Sequence, residues 1–77
     1  MNTLVWRAGS HRYDVTAGTA AIVGHIWTRM DEVTIEPIPD TVLEGLSAGP
    51  YASLDDAMVA IAEHTTGTCE LGRANDQ

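Results

Sequence analysis

The chain has 77 residues, 44% hydrophobic and 19% charged, with four basic residues against eleven acidic ones and a formal net charge of -7. A chain this short makes one small domain with room for a core and little for an internal cavity as well, so a surface-mediated function is favoured over a deep substrate pocket. Its one cysteine excludes an internal disulfide, its N-terminus lacks a secretory pattern, and its longest uncharged stretch, 15–28, falls short of the ~20 residues of a membrane helix; a cytoplasmic protein without a membrane span is expected.

Residues 3–7, with Leu4, Val5 and Trp6, read as a strand. Ala8-Gly9-Ser10 then turns the chain into 11–15, where Tyr13 and Val15 alternate with Arg12 and Asp14, and the two segments form a hairpin. After the breaker at 16–19, Ala20 to Thr28 is apolar on both alternating sides except at Gly24 and His25. That pattern predicts a strand buried on both sides or central in the sheet, with Gly24 marking a bulge or a close backbone approach. Met30-Asp31-Glu32 is a polar corner. In Val33 to Ile38, Val33 and Ile35 point inward and Thr34 and Glu36 outward, and Pro37 confines the segment to an edge or shortens it because proline has no N–H for the ladder. Asp40 to Leu46 is either a single helical turn capped by Asp40 or a short strand at Thr41 to Glu44, of which the strand is preferred.

The clearest local signal follows Gly49-Pro50. Ser53 with Asp56 three residues later forms a capping box with aspartate for the usual glutamate, and Asp55 and Asp56 complement the helix dipole. Leu54, Ala57, Met58, Ile61 and Ala62 then make one apolar stripe. The helix is expected to bury Leu54, Met58 and Ile61 against a sheet that includes 20–27, and to end near Thr65 with Gly67 in the left-handed conformation. Thr68 to Leu71 supplies a short last strand, and 73–77 a frayed tail. The reading is a single domain over 1–72, of α+β class, with a largely antiparallel sheet of three to five strands and one principal C-terminal helix packed on one face. With no phenylalanine in the chain, Trp6 and Trp27 are expected in the core.

No reaction chemistry emerges. Serines, acids, Cys69, His11, His25 and His64 are present, but no nucleophile elbow, Walker loop or dinucleotide-binding glycine pattern exists, and the histidines share none of the short spacings that place two metal ligands on one element. The expectation is a protein that is not an enzyme, with no metal and no cofactor. Charge is the remaining signal. Arg7, Arg12 and Arg29 face one aspartate within the first 29 residues, whereas 30–72 holds nine carboxylates and no lysine or arginine. Such a field repels like charge and accelerates encounter with a basic partner. Glu32 and Glu36 on one strand would lie about 13 Å apart on one face, close to two phosphate steps of DNA. The candidate partner-binding residues are therefore Glu32, Glu36, Asp40, Glu44, Asp55, Asp56 and Glu63.

In small size, acid excess and lack of lysine the chain resembles the phage-encoded inhibitors called anti-CRISPR proteins and other DNA-mimic proteins. That resemblance implies a non-enzymatic protein of phage or mobile-element origin that sterically blocks the basic, nucleic-acid-binding surface of a partner. The alternative is a small antitoxin-like or homodimeric assembly module that uses a strand edge and aromatic residues. Separately, Gly49 to Ala57 is similar to the strand-to-helix corner of the arm-type DNA-binding domains of phage integrases, which implies DNA binding. The net charge of -7 opposes phosphate contact, so this reading ranks third.

Overall fold

The computed structural model describes residues 2–18 and 21–72. Five strands and one helix follow one another as β1 (Asn2–Arg7), β2 (Arg12–Ala17), β3 (Ala21–Arg29), β4 (Glu32–Pro37), α1 (Leu54–His64) and β5 (Thr68–Leu71). They form one sheet of order β4-β3-β2-β1-β5 with the helix on one face, the α+β arrangement that the pattern predicts. Strands β1 to β4 are an antiparallel meander, and β5 returns across the molecule to lie parallel to β1, so the sheet is mixed. The expected tail at 73–77 and the first residue of the expected third strand, Ala20, lie outside the described residues.

Period-two alternation assigns the two faces. Val5, Val15, Ile26 and Ile35 point to the helix side and are buried with Ala57 and Ile61 of α1, whereas Trp6, Asp14, His25 and Glu36 point the other way. Strand β3 is thus internal to the sheet, between β4 and β2, but buried on one side only. Ile22 is 46% exposed, and His25 and Trp27 are half-buried on the helix-free face. The tryptophans expected in the core both stand on that face. Leu4 and Trp6 alternate with Thr3 and Val5, so either side of β1 could have been the apolar one. The buried hydroxyl of Thr3 settles the choice without an unpaired donor, because it donates to the Thr68 carbonyl at 2.7 Å.

The predicted irregularity at Gly24 is present. The β2–β3 register shifts there: Val15 pairs with Gly24 but Thr16 with Ile22, leaving Val23 as the extra residue. The Val23 carbonyl accepts the Ile38 N–H at 3.0 Å, which ties the following loop to the bulge, and the Thr41 hydroxyl donates to the Ile38 carbonyl at 2.6 Å with the Val23 carbonyl 3.2 Å away. That loop is where the preferred strand at 41–44 fails. The segment is a series of turns, with Asp40 at φ 65° and Glu44 N–H donating to the Thr41 carbonyl at 3.0 Å. It delivers Leu43, fully buried, over Gly24, where a Cβ would stand 2.8 Å from the leucine Cδ1.

Helix α1 is capped by Ser53, whose hydroxyl accepts the Asp56 N–H at 3.1 Å, the serine half of the expected capping box. Ala57 and Ile61 are fully buried, and Leu54 and Met58 pack against the core while half-buried. The helix lies closest to β5 and also meets β4 and β1; over β3 the cover comes from Leu43. At its end the left-handed residue is Thr66, at φ 55°, rather than the expected Gly67, whose N–H closes on the Ala62 carbonyl at 2.9 Å. No helix among the described residues is long and apolar enough to cross a membrane.

Candidate functional site

The helix-free face of the sheet gathers the chain's polar aromatic chemistry. Strand pairing sets Trp6, Asp14, His25 and Glu36 side by side in one row across four strands. With strands about 4.8 Å apart, the row spans roughly 14 Å. A second row places Arg12 beside Trp27 and Trp27 beside Thr34, and Arg29 stands opposite Glu32 at the β3–β4 turn.

The side chains of these rows hold one another in place. The Asp14 carboxylate lies 2.8 Å from His25 Nδ1; an ionised carboxylate can only accept, so the ring carries its proton on Nδ1. Arg12 Nε approaches the same carboxylate oxygen at 3.5 Å, and the Arg12 guanidinium carbon lies 5.9 Å from the Trp27 ring centroid, within cation–π range. Trp27 Nε1 donates to Glu36 at 3.2 Å, and its ring is tilted at 54° to that of His25. Trp6 Nε1 donates to the Thr16 hydroxyl at 2.8 Å. Every polar tip of the two tryptophans is thus satisfied within the sheet, and the rings form a preorganised surface.

Four carboxylates, Asp14, Glu32, Glu36 and Glu70, share this face with two guanidiniums, Arg12 and Arg29. Shallow depressions occur on it at Trp27, Arg29, Glu32 and Thr34, and beside Trp6 and Glu70. Nothing among the described residues groups three histidine, cysteine or acidic side chains at metal-binding distance. His11 is exposed just before β2, and His64 Nε2 donates to the Glu44 carbonyl at 3.0 Å, fastening the helix end to the loop.

The seven acidic candidates fall into three places. Glu32 and Glu36 share the helix-free face. Asp40 and Glu44 lie in the loop after β4, where the Asp40 N–H donates to the Glu44 carboxylate at 3.1 Å. Asp55 and Asp56 occupy the first turn of α1, with Glu63 near its end, all exposed. The fold therefore divides these acids between both sides of the molecule. Sequence reasoning missed Asp14, His25 and Arg12, which become neighbours only through the β2–β3 register. The available signal was that each alternates with residues of the core side, Tyr13, Val15, Gly24 and Ile26. Compared with known proteins, the chain matches no family model, no curated protein sequence and no solved structure.

Proposed function

We propose that the chain is a non-enzymatic binding protein that grips a basic protein surface with the helix-free face of its sheet. The observation that carries this reading is the placement of Trp6 and Trp27, the residue type most enriched at interface hot spots, on that face and not in the core. Acids outnumber arginines there four to two, which favours a cationic partner. A cytoplasmic setting and a mobile-element origin go with this reading, and direct nucleic-acid binding does not, given the charge of -7.

A second reading keeps the blocking, DNA-mimic role and assigns it to the helix and loop side. There Asp40, Glu44, Asp55, Asp56 and Glu63 meet no lysine or arginine between residues 30 and 72. The two readings separate in a capture experiment from prokaryotic lysate with tagged protein, followed by affinity measurement on the partner obtained. Under the first, Trp27→Ala or the pair Glu32→Lys and Glu36→Lys abolishes capture, while Asp55→Lys, Asp56→Lys and Glu63→Lys together leave it intact. The opposite pattern, with steep weakening in salt, makes the helix side the contact and overturns the first reading.

A further inference from the structure

The two edges of the sheet are treated differently. Along β4 the segment 48–51 covers the free side: Val33 N–H donates to the Tyr51 carbonyl at 3.2 Å, Tyr51 N–H to Val33 at 2.7 Å and Ile35 N–H to Ala48 at 2.9 Å. Nothing among the described residues does this for β5. Gly72 N–H donates to the Val5 carbonyl at 2.8 Å, so by alternation Glu70 also turns its backbone toward β1, and the N–H and C=O groups of Cys69 and Leu71 point away from the sheet. Leu71 is 58% exposed, and the strand carries no proline or lysine, the usual blocks to edge pairing.

The side chains at this edge specify what would pair with it. Glu70 is exposed on the helix-free face and has no cation within ion-pair distance among the described residues. Beside it runs a groove of about 290 Å³ lined by Asn2, Leu4, Trp6, Thr16 and Thr68. The Trp6 ring lies over Gly72, where a Cβ would stand 2.6 Å from it, so the indole reaches outward past its own strand toward the edge. A carboxylate and an indole face at a strand edge suit a lysine or arginine, which pairs with the one and lays its stem or guanidinium on the other. A second copy of this edge is a poor occupant, because its one charged side chain is again Glu70 and each chain carries -7.

We infer that β5 takes an extended, lysine- or arginine-bearing segment of the partner as a sixth strand, with one basic side chain lodged between Trp6 and Glu70. Main-chain pairing supplies affinity and the groove supplies selection, the usual division in strand addition. The inference rests on the binding-protein reading and names the partner segment for the same face.

The probe is a capped seven-residue peptide alternating lysine with valine, and its control has glutamate for lysine. Titrated into the isotopically labelled protein, the lysine peptide should shift the Cys69 and Leu71 amides and slow their exchange with solvent, and the control should not. Glu70→Gln should weaken binding about tenfold, and Glu70→Lys more. Equal binding by both Glu70 variants, or shifts confined to Glu32, Glu36 or residues 55–63, would overturn strand addition. So would protection of Cys69 and Leu71 that grows with protein concentration alone, since it marks an edge-to-edge dimer. If the edge fails these tests while Trp27→Ala still abolishes partner capture, the broader reading of the face stands without it; if both fail, neither stands.

Discussion

Gly24 shows how one side chain's absence organises the molecule. A Cβ there would stand 2.8 Å from Leu43 Cδ1 and 3.0 Å from the Glu36 carbonyl oxygen, so Gly24→Ala must push the loop off the sheet and should cost about 1–3 kcal/mol. Leu43→Ala, emptying a fully buried site, should cost about 2–5 kcal/mol. Combined, the two should cost less than their sum in urea titrations, because removing the leucine makes room for the new methyl. Additivity would show that the contact is not what fixes the loop. Cys69 offers a test by pH. Burial pushes its thiol above the ordinary value of 9.0, a hydrogen bond with Thr3 opposes this, and the neighbouring Glu70 carboxylate adds to it. The folded chain therefore holds the proton longer than the unfolded one. Stability is full below 9.0 and declines as pH rises through that value toward the folded one. The decline in urea midpoint should be shallower in Cys69→Ala than in the parent.

Element by element, legibility followed the length of the periodic signal. Helix α1 has eleven residues with a side-chain cap and one apolar stripe, and both were readable directly. Ser53→Ala should cost about 1 kcal/mol through the lost cap, and Ile61→Ala about 2–5 kcal/mol through the core; thermal melts check both. Near-equal losses would mean that the helix is held by its end and not by its face. The loop at 40–46 was misread because Thr41 to Glu44 is only four residues, two adjacent apolar ones between two polar ones, too few to separate a strand from turns. What decided it lies partly elsewhere in the chain: the Val23 carbonyl at the bulge takes the Ile38 N–H at 3.0 Å and Leu43 packs over Gly24, while the Thr41 hydroxyl turns back onto the Ile38 carbonyl at 2.6 Å. The candidate site was legible in part. The alternation in β4 correctly put Glu32 and Glu36 on one face. The pairing of Asp14 with His25 depends on a register shift that Gly24 marks but whose partner strand and size no local pattern reveals, and the position of the tryptophans depends on which side of β1 the helix covers.

For the molecule as a whole, charge is the dominant long-range term. With a net charge of -7 the folded chain repels itself, so added sodium chloride should raise the melting temperature through screening, most steeply below ~0.15 M where the Debye length exceeds about 8 Å. A melting temperature indifferent to salt would mean that the carboxylates stand far enough apart for water alone to screen their repulsion. The parallel pairing of β1 with β5 joins Asn2 to Thr68, nearly the full chain apart. On a ribosome the meander of β1 to β4 emerges first and can pair at once, yet β1 must wait for residue 71 before its second neighbour exists. During that interval Val5 and its strand present an unpaired border to every other nascent chain nearby, and vectorial synthesis makes the interval unavoidable. Slowing translation near the C-terminus would lengthen the exposure, so the rate at which the last strand is delivered bears directly on how much of the protein reaches its folded form.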